Sequence, residues 1–355
     1  MAKRKHNFNA GPAALPLPVL ESVQRDLIDY RGQGLGVMEM SHRSANYEPI
    51  IDGARDAIAA LYDLPETHEV LFLQGGASLQ FAMVPLNLGP GGAYVNTGVW
   101  STKSLGEAKR VGAAHEVWSS ADDGFRHVPQ PGDALDVPAG APYLHYTSNN
   151  TIYGTEWHHV PKADVPLVGD LSSDFLSRPV DFAPFDLAYA GAQKNAGPAG
   201  VTIVIARKSV SRAYNGPPTT ANILRYVTHA AKDSMFNTPN TFGIYVVGLV
   251  AEWVQQQGGL AAIEQRNVAR ADRLYAALEE SDRFTPYARP DSRSRMNVTF
   301  STGDADEDKR FVAAAAERDM IGLKGHRSVG GLRASIYNAV PDEAVDALID
   351  FIAGW

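Results

Sequence analysis

The sequence predicts an α/β fold with a mostly parallel central sheet, followed by a smaller α+β domain at the C-terminal end. Three observations carry this. Short apolar runs alternate with amphipathic stretches through the first two thirds of the chain. Near residue 241 that alternation gives way to a long helical pattern, and beyond it strands and helices resume on a smaller scale. The 355 residues suffice for two such bodies, at about 150 residues per domain.

Taken in order, Leu71-Phe-Leu, Ala93-Tyr-Val, Tyr143-Leu-His-Tyr, Pro166-Leu-Val, Leu187-Ala-Tyr and Val201-Thr-Ile-Val-Ile read as buried strands. A strand covered on both faces needs no polar alternate, so it appears as a short continuous apolar run. Between them lie helical patterns. Ile50, Ile51, Ala54, Ile58 and Leu61 fall on one helix face. The stretch from Thr241 to Glu280 is helical but broken at Gly258-Gly259, where one helix can end and a second body begin. Met296-Asn-Val-Thr-Phe and Leu332-Arg-Ala-Ser-Ile read as strands around a helix from Asp306 to Arg318, and a last helix starts at Asp342.

Composition narrows the function. Lys and Arg number 32 against 40 Asp and Glu, a net charge of −8, which argues against a general nucleic-acid surface. An anionic ligand must therefore meet a local cluster of cations. The absence of cysteine excludes disulfides, Cys-ligated metals and cysteine nucleophiles, and fits a reducing cytoplasm. No apolar stretch follows the basic start Met-Ala-Lys-Arg-Lys-His, so a signal peptide is not expected. No run of about eighteen apolar residues suggests a membrane span. The expectation is a soluble cytoplasmic protein with no metal site.

Three segments carry chemistry. In Ala190-Gly-Ala-Gln-Lys-Asn-Ala-Gly-Pro-Ala-Gly200, Lys194 sits among small residues directly after an apolar strand. Small neighbours let the backbone approach a flat ring, and a lysine there can form a Schiff base with an aldehyde cofactor; a surface lysine on a glycine-rich turn is the plainer alternative. Val168-Gly-Asp170 puts an acid at a strand end, 24 residues before Lys194. Ligands of open α/β sheets bind at strand ends, and a carboxylate there can hold a pyridine nitrogen protonated. As a helix cap before Ser172-Ser173, Asp170 would have only a structural role. Gln74-Gly-Gly-Ala-Ser78 is a glycine turn opening a helix, suited to phosphate or simply to a strand–helix turn. Trp100 follows the next strand and either stacks on a ring or fills core.

Eight motifs then point one way. They are Asn7-Phe-Asn-Ala-Gly-Pro-Ala13, Met40-Ser-His-Arg43, Gly75-Gly76 with Gln80-Phe81, Ala190-Gly-Ala-Gln-Lys-Asn195, Ser234-Met-Phe-Asn-Thr-Pro239, Ser294-Arg-Met-Asn-Val298, Lys324-Gly-His-Arg327 and Gly331-Leu-Arg-Ala-Ser-Ile-Tyr-Asn338. In this order the chain resembles the phosphoserine aminotransferases, a family of class V enzymes that use pyridoxal 5'-phosphate (PLP). The resemblance implies the PLP-dependent transferase fold of type I and a homodimer with active sites shared between subunits. It implies transfer of the amino group of L-glutamate to 3-phosphohydroxypyruvate, giving O-phospho-L-serine and 2-oxoglutarate, in serine biosynthesis. Some relatives also serve pyridoxine biosynthesis through a phosphorylated hydroxythreonine. The expected division is a large PLP-binding domain over 16–258 and a small domain of 1–15 with 259–355.

Residue by residue, the resemblance makes Lys194 the Schiff-base lysine and Asp170 the partner of the ring nitrogen. Trp100 would stack on the ring and Thr151 would bond its phenolic oxygen. Ala77 and Ser78 would give backbone amides to the cofactor phosphate, helped by Gln193, with Asn237 and Thr238 reaching it from the neighbouring subunit. Arg333 would hold the substrate α-carboxylate, while His42, Arg43, His326 and Arg327 would form a cationic pocket for the acceptor phosphate or the glutamate side chain. Planar arginine forks suit both anions. Two residues depart from some members: Ser78 stands in place of an arginine and Ala10 in place of a serine.

Other readings have less support. A cysteine desulfurase needs a cysteine. Serine–pyruvate or alanine–glyoxylate aminotransferases need no second anion pocket, and a non-catalytic PLP-binding regulator would be expected to carry an appended binding segment. Gly32-Gln-Gly-Leu-Gly36 lacks the spacing of a dinucleotide loop, and His158-His159 has no third ligand at metal-binding spacing.

Overall fold

Alternation of side chains along each strand decides how the central sheet packs. Val70 and Phe72 of the strand His68–Leu73 enter one core, whereas Leu71 and Leu73 enter another on the opposite face. Ile203 and Ile205 part from Val204 and Ala206 in the same way along Thr202–Arg207. The computed structural model describes residues 4–214 and 216–355, so the first three residues of the basic start and of the segment 1–15 lie outside the described residues.

The sheet has seven strands in the order His68–Leu73, Thr202–Arg207, Phe185–Gly191, Leu167–Asp170, Leu144–Thr147, Ala93–Asn96 and His115–Ser119. Thr202–Arg207 runs antiparallel to both neighbours, and the remaining pairs are parallel. Six strands therefore point one way and one points back, so the sheet is mixed. Leu144–Thr147 and Leu167–Asp170 each begin one residue later than the apolar runs suggest, after Tyr143 and Pro166. The edge strand His115–Ser119 is polar and largely exposed, which is why no apolar run marks it.

Helices Glu48–Leu61 and Thr241–Gln256 cover one face. Their approach is close at Gly248, where a Cβ would stand 3.2 Å from that of Ala54. Helices Gly76–Leu88 and Val99–Val111 cover the other face. Gly32 lies in the short turn Tyr30–Gly32, not between a strand and a helix, so the run Gly32–Gly36 has no dinucleotide-loop setting. No helix among the described residues is long and apolar enough to cross a membrane.

A separate apolar core gathers Leu274, Leu278, Phe284, Phe300, Phe311, Ile336, Leu348 and Phe351 under the antiparallel strands Thr285–Pro286, Asn297–Ser301 and Leu332–Ser335. Phe8 and Ala14 belong to this core, and the strand His6–Asn7 pairs in parallel with Met320–Ile321. The two cores share one helix. Gly258, at φ +94°, opens Gly259–Glu280, whose Leu260 and Ile263 pack in the sheet's core and whose Ala271, Leu274 and Leu278 pack in the second.

Candidate active site

Parallel strands end on the same edge of the sheet, and that edge collects the polar residues. Thr147 closes Leu144–Thr147, Asp170 closes Leu167–Asp170, and Lys194 lies three residues beyond the end of Phe185–Gly191. The helices that follow His68–Leu73 and Ala93–Asn96 start on this edge and bring Gly76, Ala77, Ser78 and Trp100 to it. A cavity of about 140 Å³ results, lined by these residues with Phe81, Asn149, Thr151, Ser172, Ser173 and Gln193.

Lys194 Nζ donates a hydrogen bond to Thr151 Oγ1 and stands 5.7 Å from the centre of the Trp100 ring. Burial, reinforced by the charge of Arg333 and opposed by Asp170, brings its pKa down from 10.5 to about 8. Asp170 is 3% exposed, and its Oδ1 accepts from Ser172 N at 3.0 Å. Burial pushes the Asp170 carboxyl up, while Ser172 and Lys194 favour its ionised form. Arg333, on Leu332–Ser335, reaches across from the second core and donates from Nη1 to Thr151 O at 3.2 Å.

Helix Gly76–Leu88 is ready to hold an anion. Its N-cap Gly75 has φ +88° and offers no side-chain cap, so the first backbone N–H groups, of the lining residues Gly76, Ala77 and Ser78, are left without one. A side chain at Gly75 would also strike Leu79, 2.6 Å from the ideal Cβ. Beneath the site, Asn149 Nδ2 donates to Ser173 Oγ and to Asn297 Oδ1, both at 2.8 Å, tying the cavity floor to the second body. The N-terminal segment closes one flank: Ala13 N donates to Gln193 O at 2.9 Å, and Tyr337 OH donates to Ala10 O at 2.9 Å.

A family profile described as aminotransferase class-V matches residues 5–348. The chain belongs to the class-V aminotransferase family. It is 52% identical to a phosphoserine aminotransferase of Geobacillus kaustophilus over 99% of this chain and 98% of that one. Its fold superposes on the phosphoserine aminotransferase of Bacillus circulans subsp. alkalophilus with a TM-score of 0.96, at 46% identity over 99% and 98% of the two chains. A PLP-bound phosphoserine aminotransferase from Trichomonas vaginalis gives 0.93 at 37% identity, over 98% and 99%.

In this aminotransferase Lys194, Asp170, Trp100, Thr151, Gln193, Ala77 and Ser78 line one cavity, and Arg333 lies against it. His326 lies outside the lining but within the field of Arg333, and Arg327 follows it in sequence. His326 Nδ1 pairs with Ser328 Oγ at 2.7 Å, and its pKa is lowered by burial and by the charges of Arg333, Arg327 and Lys103. Seven of the expected site residues do not line the cavity: His42, Arg43, Asn237, Thr238, His326, Arg327 and Arg333, of which Arg333 bonds the lining residue Thr151. His42 Nε2 is buried without a hydrogen-bond partner among the described residues. Asn237 and Thr238 are exposed, and Thr238 O accepts from Gln74 Nε2 at 2.8 Å. Reading the sequence missed Thr147 and Asn149 as lining residues, and took Phe81 only as part of a motif. Thr147 carried a usable signal, since like Asp170 it ends an apolar strand. Ser172 and Ser173, read only as followers of a helix cap, are part of the wall.

Proposed function

We propose that this aminotransferase binds one pyridoxal 5'-phosphate per subunit and transfers the amino group of L-glutamate to 3-phosphohydroxypyruvate, yielding O-phospho-L-serine and 2-oxoglutarate. The observation that carries this is the buried Lys194 amine, held near pKa 8 in a cavity it shares with an indole and a buried carboxylate. The cavity suits the cofactor. The uncapped N–H groups of Gly76, Ala77 and Ser78 suit its phosphate, with Gln193 beside them. Trp100 gives a flat face. Thr147 Oγ1 and Trp100 Nε1 are buried with no partner among the described residues, as a site built for a polar guest would leave them.

When bound, the cofactor supplies a conjugated ring that withdraws electrons from the substrate carbon bearing the amino group. The chain's own residues do the rest. Burial penalises the Asp170 carboxylate, Lys194 and Ser172 offset part of that, and a protonated ring nitrogen beside it would offset more. Thr151 offers a hydroxyl to the ring oxygen. Lys194 Nζ, largely neutral above about pH 8, would serve as the base that takes the proton from the substrate Cα and as the acid that gives it back on the cofactor side. Arg333 holds the α-carboxylate, and His326 with Arg327 meets the distal phosphate or the glutamate side chain.

We assign His42, Arg43, Asn237 and Thr238 to the site of a neighbouring subunit: they neither line the cavity of their own chain nor, unlike Arg333 and His326, act on its residues or on one another there. The active form is then a homodimer with shared sites. The proposed domain division is 16–258 against 1–15 with 259–355, supported by Phe8 and Ala14 in the second core, with Leu260 and Ile263 of the shared helix packing in the first; the proposed place of work is the cytoplasm. A general serine–pyruvate or alanine–glyoxylate enzyme, or a non-catalytic PLP-binding protein, would leave the His326-Arg327 pair unused. The test compares phosphorylated with unphosphorylated 3-hydroxypyruvate as acceptor, with glutamate as donor. The phosphorylated acceptor should be preferred by at least about two decades in kcat/KM, from two or more charge-assisted contacts. Borohydride reduction should fix the cofactor on Lys194; equal use of the two acceptors, or label on another lysine, would refute the proposal.

A further inference from the structure

We propose that Lys103 is a specificity-determining residue, a third cation for the acceptor's phosphate, parked on the Trp100 ring of the cavity wall. The inference rests on the reading above that the acceptor carries a phosphate.

Lys103 lies three positions after Trp100 on helix Val99–Val111, so the two side chains share a helix face one turn apart. Its Nζ stands 4.6 Å from the centre of the Trp100 ring, within cation–π range. Lys194 Nζ lies 5.7 Å from that same ring. Lys103 thus sits at the edge of the reacting cavity and not on a remote surface.

Its surroundings are positive. The charge of Lys103 acts on His326 together with those of Arg333 and Arg327, so three cations bear on one imidazole, and Arg333 bonds Thr151 of the cavity wall as Lys103 lies over its Trp100. Among the described residues no carboxylate pairs with Lys103, whereas Arg110 farther along the helix is paired with Glu107 at 2.7 Å. Like charges gathered without a counterion repel one another, and an incoming anion turns that repulsion into binding. The one pocket has to accept both the single charge of the glutamate side chain and the double charge of a phosphate. A fixed arginine fork serves either anion. A lysine is a point charge on a flexible stem, able to leave the indole when the dianion arrives. Lys103 therefore favours the phosphorylated acceptor over glutamate.

The holoenzyme tests this directly. Lys103→Met keeps the apolar stem over Trp100 and removes the charge; Lys103→Arg keeps the charge. Steady-state kinetics would be measured for glutamate, for phosphohydroxypyruvate and for its unphosphorylated analogue. Lys103→Met should lower kcat/KM for the phosphorylated acceptor about tenfold, mainly through KM, with a change under about twofold for the other two substrates. Lys103→Arg should recover most of the loss, and the Met variant should lose part of the salt sensitivity of acceptor binding. Equal losses on all three substrates would mean that Lys103 merely supports Trp100, and an unchanged preference in Lys103→Met would also overturn the inference while leaving the proposed reaction standing. A wild-type enzyme with no preference for the phosphorylated acceptor would overturn both.

Discussion

The pKa of Lys194 is the quantity on which proton transfer turns, and it can be moved in either direction by its neighbours. With its pKa near 8, about 9% of the amine is neutral at pH 7; at the ordinary lysine value of 10.5 the neutral share would be about 0.03%, roughly three-hundredfold less. Burial is the main cause, Asp170 raises the value and Arg333 lowers it. In the cofactor-free protein, Asp170→Asn should therefore shift Lys194 below 8 and Arg333→Gln should shift it upward. Trace acetylation across a pH series, read by peptide mass spectrometry against an exposed lysine, reports the titration of each amine. Stability should follow. Between about pH 8 and 10.5 the unfolded chain carries a proton on Lys194 that the folded chain has lost, so the contribution of this group to stability rises with pH across that window. Wild type minus Lys194→Met should show that rise in thermal unfolding. Acetylation of Lys194 with a midpoint near 10.5, or shifts of the same sign in the two variants, would refute the reasoning.

Three further outcomes are expected. Mixing inactive Lys194→Ala with a weak Asn237→Ala/Thr238→Ala variant should, after demonstrated subunit exchange, restore activity toward about a quarter of wild type, because one site in four is then intact; no recovery would count against a shared site. Arg327→Ala should lower kcat/KM for phosphohydroxypyruvate roughly ten- to a hundredfold with little change in cofactor binding, and should narrow the preference over the unphosphorylated acceptor. Arg178→Met should destabilise the fold by about 3–5 kcal/mol, since it strips the charge partner from Asp174 at 3.4 Å and from Glu156 at 3.6 Å, both almost wholly buried. Asp174 already titrates near 6 in the fold, above its ordinary 3.8, so protonation relieves its burial, and the deficit measured by thermal unfolding should be smaller at pH 5 than at pH 8.

What could be read from the residues followed from burial and from local backbone chemistry. The runs around Leu71, Leu187 and Ile203 marked strands because both faces are covered, and Gly258-Gly259 marked the joint because a left-handed turn separates the helices Thr241–Gln256 and Gly259–Glu280. His115–Ser119 escaped notice because an edge strand of this polarity buries too little. The direction of Thr202–Arg207 was not legible either, since an apolar run has no sign. At the site, Lys194 and Asp170 stood out through their settings at strand ends. Thr147 and Asn149 did not, because a buried hydroxyl or amide is ordinary until the elements around it are assembled. Lys103 stayed hidden among other surface lysines until its distance to Trp100 was known.

The strand His6–Asn7 finds its partner Met320–Ile321 more than 300 residues later, and the segment after it closes on Gln193. That strand therefore has no partner to pair with until residues 320–321 have been made. The large sheet, complete once Arg207 has emerged, can form early. Its reactive lysine then stands with one wall missing while some 110 further residues are added. A product truncated midway would carry Lys194 without Arg333, one of the charges that lowers its pKa.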